Sequence, residues 1–320
     1  ESRGLGDVYK RQPLIVTTMA ERFDYIIIGS GSAGSALAYR LGESGKHRIL
    51  VLEYGGSDAG PLIQMPAALS YPMNMKRYDW GYLADAETSL NGRRLVCPRG
   101  KVLGGSSSIN GMIYVRGNAG DYDHWQEAGA RGWSYTDVLP YFRRMENAHG
   151  GAVGWRGTDG PLHVTRGPRD NPLHDAFVTA ATEAGYTAVD DYNGYRQEGF
   201  GAADMTVWRG RRWSSANAYL RPALRRGNVK LVTGALVEKI LIDKKTATGV
   251  VYRKGGKQHE VTARAETVLA AGAINSPQIM QRSGVGPGAV LQNAGVDVVL
   301  ERAGVGANLQ DHLEVYFQIA

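Results

Sequence analysis

The chain has 320 residues, a formal net charge of +6 from 37 Lys and Arg against 31 Asp and Glu, 43% hydrophobic residues and one cysteine. That length allows two domains, or one large α/β domain with insertions, and the composition is that of a globular protein. Several classes are excluded: the basic residues are too scattered for a nucleic-acid face, no apolar run reaches the roughly 20 residues of a membrane span, and Cys97 alone cannot make an internal disulfide or a multi-cysteine metal site.

The opening ESRGLGDVYKRQ is polar, lacks the apolar core of a secretory signal, and reads with residues 13–20 as an appended leader outside the fold. The single cysteine fits a reducing, cytoplasmic setting. The organised chain begins with Tyr25-Ile26-Ile27-Ile28, an apolar, β-branched run of the kind buried on both faces of a parallel sheet. It runs into Gly29-Ser30-Gly31-Ser32-Ala33-Gly34, and Ser35–Leu41 reads as a helix. Strand, G-x-G-x-x-G loop and helix N-terminus together make a pyrophosphate site: the first glycine permits the turn, the second lets backbone approach phosphate, and the third lets helix pack on strand. A second strand, Arg48–Leu52, ends in Glu53, where an acidic residue about 20 positions beyond the glycines grips ribose hydroxyls. A carboxylate there disfavours a 2′-phosphate, hence NADP.

Residues 56–95 form a loop-rich excursion, long enough to suggest a functional role. Gly100–Gly111 (GKVLGGSSSING) follows, with Gly104, Gly105 and three serines. Its residues suit a backbone lying flat against a planar ligand, and equally a serine-rich loop capping a helix. Helical patterns at Tyr135–Glu146 and Pro172–Ala184 flank a glycine-rich connection over 147–161. Short strand signals over 161–216 predict a second domain with an antiparallel sheet, closed by a helix at Asn217–Arg225. VKLVTG, ALVEKILID, GVVYR, HEVTAR and ETVLA, from Val229 to Ala270, predict consecutive strands, then a helix at about Pro277–Arg282. The fold expected is α/β, a Rossmann-like cofactor domain that is discontinuous (21–60, 96–150 and 226–312) with an inserted α+β substrate domain (61–95, 151–225 and 313–320). The chain stops at Ile319-Ala320 within an apolar, strand-like segment, which predicts that a C-terminal part of that domain is missing.

In three places the chain resembles the glucose-methanol-choline oxidoreductases, which bind FAD: GSGSAG with Glu53; Gly100–Asp123 (GKVLGGSSSINGMIYVRGNAGDYD); and Gly272–Gly286 (GAINSPQIMQRSGVG) followed by Gly304–His312 (GVGANLQDH). Within that family MPAALSYPMNMKRYDWGY, GRRWSSANAYL and NLQDHLEVY are similar to the bacterial choline-oxidising members. The resemblance implies that Gly29, Ser30, Gly31, Ser32, Ala33 and Gly34 hold the FAD pyrophosphate and Glu53 the adenosine ribose. It also implies that Val102 with Gly104 and Gly105 lies along the flavin, and that Asn110, Gly111, Met112 and Ile113 line its ring and ribityl chain. Val237 would meet adenine through its backbone; by its sequence alone it is an ordinary core valine. Asn110 stands where some family oxidases attach FAD covalently to histidine, and an amide nitrogen cannot do that chemistry, so FAD is expected to be non-covalent.

Glu314 holds the place of a carboxylate that faces a trimethylammonium group in choline-oxidising relatives; the other reading is a solvated surface glutamate. A quaternary ammonium is recognised by opposite charge and aromatic faces, and Tyr71, Tyr78 and Trp80 are candidates for cage walls or for core packing. His312 reads as a structural hydrogen bonder, because the family's active-site histidine comes near the end of a longer chain. No catalytic residue is therefore expected within these 320 residues. The implied reaction is oxidation of a primary alcohol, choline to betaine aldehyde, by hydride transfer to flavin N5. Alternatives are a family member acting on another alcohol, a non-catalytic flavin-binding fragment, and an NAD-dependent enzyme, which would leave the second and third motifs without a role. The expected partners are a small alcohol and an unidentified electron acceptor, with peripheral contact to a respiratory membrane compatible with the resemblance.

Overall fold

The computed structural model describes residues 21–312 and Glu314. The leader over 1–20 and the apolar end at Ile319-Ala320 lie outside the described residues. The run Tyr25–Ile28 closes strand β1 (Glu21–Ile28), and helix α1 (Ser32–Leu41) follows. Alternation along β1 sends Ile26 and Ile28 to one face and Ile27 to the other, and both faces are covered. Ile27 packs with Ala38 of α1 and with Leu220 and Ala223; Ile26 and Ile28 pack with Leu50, Leu52 and Ile279. Each such buried side chain contributes about 1.5–3 kcal/mol. Strand β2 (Ile49–Glu53) is buried throughout and runs parallel to β1, with Tyr25 opposite Ile49.

The excursion after β2 contains a short antiparallel ribbon, β3 (Tyr82–Leu83) with β4 (Val96–Cys97). The helix Tyr135–Met145 starts in a capping box, in which Ser134 Oγ accepts from Asp137 N–H and the Asp137 carboxylate accepts from Ser134 N–H. Strands β5 (Glu146–His149), β6 (Leu162–Arg166) and β7 (Asp204–Met205) make the second sheet. It is mixed rather than antiparallel: β5 and β6 run parallel, and only β7 is antiparallel to β6. The glycine-rich connection is the reason, since roughly a dozen residues suffice for a chain to return and re-enter in the same direction. Strands β8 (Val207–Trp208) and β9 (Arg211–Arg212) form a hairpin whose two turn residues, Arg209 and Gly210, both have positive φ.

Strands β10 (Val229–Thr233), β11 (Leu236–Asp243), β12 (Thr246–Lys254) and β13 (Lys257–Leu269) complete the main sheet, in the order β10-β2-β1-β13-β12-β11. Its strands come from residues 21–53 and 229–269, the two ends of the described chain. HEVTAR and ETVLA, expected as separate strands, are one strand of 13 residues. The first part of β13, residues 257–262, pairs antiparallel with β12, and from Val261 onward β13 pairs parallel with β1; the register with β1 shifts between Ala263 and Glu266, so the polar Arg264-Ala265-Glu266 is an irregularity within one continuous strand. The following helix also starts earlier than expected, at Gly272, and runs to Arg282 with Pro277 inside it. Proline there has no N–H to donate to the Ala273 carbonyl, and its ring crowds that carbonyl.

Candidate cofactor site

The site is built at the carboxyl ends of β1, β2 and β13. Gly29 leaves β1 with φ +98°, and a Cβ on it would stand 2.5 Å from the Ala270 carbonyl oxygen. A Cβ on Gly34 would collide with the Gly29 carbonyl oxygen, so α1 can seat against the strand end only with glycine there. Gly31 differs. The nearest atom to a Cβ at Gly31 is Gly105 Cα, 3.9 Å away, and Gly31 borders a cavity of about 490 Å³. Protein packing does not require glycine at 31; a ligand lying against the backbone would.

Glu53 ends β2 almost wholly buried. Its Oε2 accepts from Ser30 N–H and from Ser30 Oγ, both at 2.9 Å, and its Oε1 accepts from Gly55 N–H at 2.7 Å. Burial pushes the carboxyl above its ordinary range, while the hydrogen bonds from Ser30 and Gly55 oppose the shift. Each carboxylate oxygen accepts two bonds, so Oε1 keeps capacity for a hydroxyl.

Two helix N-termini meet the cavity. Ser32 and Ala33 open α1, and Gly272–Asn275 open the helix after β13; neither helix has a side-chain cap or an acidic residue in its first turn. Their free N–H groups and partial positive charge suit a pyrophosphate. Arg99 and Arg282 add full charges to the lining. The opposite wall is aromatic: Trp80 stacks between Tyr54 (5.2 Å between centroids) and Tyr82 (6.1 Å), and Lys101 Nζ lies 5.7 Å from the Trp80 ring centre. Tyr82 donates its hydroxyl hydrogen to Asn275 Oδ1. The second glycine stretch rests on the first. Gly104 N–H donates to Ser30 O at 3.0 Å, and Gly105 (φ +55°) sits so close that a Cβ would come within 2.8 Å of Gly31 Cα. It turns through a short 3₁₀ segment, Gly105–Ser108, and caps no longer helix.

Gly29, Gly31, Ser32, Ala33, Glu53, Gly105 and Val237 thus border one cavity, with Ser30, Gly34 and Gly104 behind them. Val237 is also a buried member of the sheet core. Val102 is fully buried against Ile63, Tyr78 and Ile109, so its side chain belongs to a core beneath the loop. Asn110, Gly111, Met112 and Ile113 lie one turn beyond cavity-lining Ser106 and do not border the cavity. Neither do His312 and Glu314, which are exposed. Of the three aromatic candidates, Tyr71 is on the surface, Tyr78 is in the core, and only Trp80 reaches the cavity. The sequence reading missed Tyr54, Tyr82, Arg99 and the helix start at Gly272–Asn275. The last had a signal: an apolar strand, then a glycine, then a helix, repeating the pattern at Gly29.

A mixed sheet whose β10, β2, β1 and β13 run parallel, with glycine-lined helix N-termini at the carboxyl ends of β1 and β13 and a buried carboxylate beside them, defines a dinucleotide-binding protein of Rossmann type. The GMC oxidoreductase family model matches residues 23–314, and the chain belongs to that family. It is 60% identical over 295 residues to an oxygen-dependent choline dehydrogenase of Sinorhizobium medicae and 62% identical to one of Brucella anthropi, in each case over 92% of this chain and 54% of the relative. The chain therefore spans about half the length of the curated relatives it matches. Among solved structures it resembles pyridoxine 4-oxidase from Mesorbium loti (TM-score 0.83, 34% identity, 87% of this chain and 55% of that one). It also resembles an FAD-dependent oxidoreductase from Chaetomium thermophilum (TM-score 0.82, 31% identity, 87% and 50%). Among the described residues no helix is long and apolar enough to cross a membrane, and no group of three side chains could hold a metal ion.

Proposed function

We propose that this chain binds FAD non-covalently, with the adenosine and pyrophosphate in the 490 Å³ cavity and the flavin ring beyond Ser106 toward Asn110, and forms the cofactor-holding part of an enzyme that oxidises choline to betaine aldehyde. The observation that carries the reading is Gly31, a glycine that no protein neighbour demands, facing two uncapped helix starts with Glu53 alongside. Ser32, Ala33 and the helix start at Gly272 would hold the pyrophosphate by their N–H groups, and Glu53 Oε1 would take the ribose hydroxyl. When bound, FAD supplies the hydride acceptor that alcohol oxidation needs. Around it, Tyr54, Trp80 and Tyr82 offer a stacked aromatic wall, and the two packed glycine loops fix the backbone donors in advance. Residues 21–60, 96–150 and 226–312 are read as the cofactor domain and 61–95 with 151–225 as substrate-domain parts.

Choline as substrate rests on the relatives of about 60% identity and on Glu314 as the carboxylate for the trimethylammonium group. The base that takes the hydroxyl proton is assigned to the part of those relatives that this chain does not span; no histidine is among the described residues lining the cavity. Purified, desalted protein should show a flavin absorption spectrum, with the colour leaving in the supernatant on acid precipitation. Anaerobic choline should then bleach the flavin of a protein that spans its relatives' full length. A protein that stays colourless with added FAD overturns the cofactor reading. Bleaching by other alcohols but not by choline overturns the substrate.

A further inference from the structure

Arg212 is the largest fully buried side chain among the described residues. Other buried arginines here, Arg116 and Arg156, are matched by Glu146, Asp191 and Asp204. Arg212 meets only neutral oxygens. Its Nε donates to Ile63 O at 3.0 Å, and its Nη1 lies 2.7 Å from Asn110 O, 2.8 Å from Asn110 Oδ1 and 3.2 Å from Ser107 O. Nη2 has no hydrogen-bond partner among the described residues. Burial pulls the pKa of the group down to about 10, so it remains charged at neutral pH.

The guanidinium has donors and no acceptor, which settles how the Asn110 amide is turned: the atom facing Arg212 is the oxygen. The same Oδ1 accepts from Met112 N–H at 3.1 Å. Asn110 is exposed, and with Oδ1 taken twice on the inner side its Nδ2 is left as the outward donor. Met112 is fully buried with φ +66°, a left-handed backbone that costs a non-glycine residue roughly 1–2 kcal/mol. It is held there by Asn110 on one side and, on the other, by Thr206, whose N–H and Oγ1 donate to Met112 O at 2.8 and 3.2 Å. Arg212 therefore fixes Asn110, and Asn110 fixes Met112. The chain of contacts begins one turn from the cavity, where Asn110 N–H donates to Ser106 O at 2.9 Å.

We propose that Arg212 is a positioning residue of the flavin site: it locks the Asn110 amide so that Nδ2, backed by an uncompensated buried positive charge, is presented to the ring where the FAD reading places it, one turn beyond cavity-lining Ser106. The inference rests on the FAD reading above. A donor and a positive charge both favour the ring after it has gained electrons, so the pair raises its midpoint potential.

The test is a double-mutant cycle on the flavin-loaded protein, with FAD dissociation followed by flavin fluorescence and the midpoint potential by dye-equilibrated reduction. R212K keeps the charge and loses the fork; it should weaken FAD binding about 10-fold, the scale of one charge-assisted hydrogen bond. In the N110A background the same change should have an effect of less than about 2-fold, because the interaction it disrupts is already gone. Equal effects in the two backgrounds overturn the proposal. Should R212K fail to fold, N110D decides alone, since residue 110 is exposed: aspartate still accepts from Arg212 but has no donor, and the potential should fall. An unchanged potential in N110D overturns the proposal. Wild-type protein that takes up no FAD overturns the flavin reading and this inference with it, whereas normal uptake with additive effects overturns only the role of Arg212.

Discussion

The second sheet with its surroundings and the nucleotide cradle both bury polar groups, and they match them in opposite ways. Around β5, β6 and β7, Arg156 reaches Glu146 at 3.0 Å and both Asp191 and Asp204 at 2.8 Å, while Arg116 reaches Glu146 at 2.5 Å. The charges of this network are matched among its own side chains, although Arg116 Nε and Glu146 Oε2 have no hydrogen-bond partner among the described residues. The cradle instead uses one carboxylate, two helix starts and glycines, and it keeps capacity at Glu53 Oε1 and along both helix termini. A polar system whose charges are matched internally stabilises a fold; one with spare donors and acceptors around a cavity is built for a ligand. Arg212 has features of both, since it is buried like the first and incompletely paired like the second.

Removing a partner from the charge-matched network should have the largest effect. Glu146→Ala would leave Arg116 and Arg156 without their shared carboxylate, and breaking a buried pair from one side costs about 3–5 kcal/mol. Urea unfolding should register that loss with little specific change in FAD affinity relative to the folded fraction. Gly34→Ala comes next, because its methyl would collide with the Gly29 carbonyl; overpacking of this kind costs about 1–3 kcal/mol. It should lower the melting temperature and FAD affinity together.

Gly31→Ala sharpens the contrast. Its Cβ meets nothing closer than 3.9 Å, so stability should stay within about 0.5 kcal/mol. FAD affinity should nevertheless fall at least about 10-fold, the penalty for a methyl held against a ligand that needs bare backbone. Equal FAD binding by Gly31→Ala and wild type would remove the main support for the cradle.

The smallest expected effect depends on pH. Burial raises the Glu53 carboxyl in the folded protein above its ordinary value of 4.5. The folded state then holds the proton more tightly than the unfolded state, so this group's contribution to stability falls as pH rises from about 4.5 through the raised value. Glu53→Gln lacks that titration. The stability of wild type minus that of Glu53→Gln, followed by urea unfolding of the FAD-free protein, should be level below pH 4.5 and decline above it. A difference that rises over that window would reverse the assignment of burial as the dominant cause.

Much of the cradle is legible in the sequence because its parts are local. The strand–glycine–helix sequence at Tyr25–Leu41 and Glu53 at the end of the next strand announce themselves by residue type and spacing. The boundaries that shifted did so where pairing overrode composition. Arg264-Ala265-Glu266 looks like a break, yet β1 pairs on both sides of it, with residues 261–263 and again from Glu266, and keeps β13 continuous. Pro277 looks like a first helical residue, yet the helix begins at Gly272. The parallel pairing of β5 with β6 depends on the path of the connection between them, which glycine content alone does not specify.

The sequence by itself determined the α/β class, the glycine cradle, the acidic residue beside it and the resemblance that points to FAD. Each of these depends on neighbours within about 30 residues, over which backbone geometry and alternation dictate the outcome. Only the tertiary structure decided that a second helix start faces the same cavity, that Tyr54, Trp80 and Tyr82 form its wall, and that Val102 is core beneath the loop. It alone joined Arg212 to Asn110 across 102 positions of chain. A single chain carries no local signal for such a pairing, because an arginine written between Arg211 and Trp213 looks like surface charge until the fold encloses it.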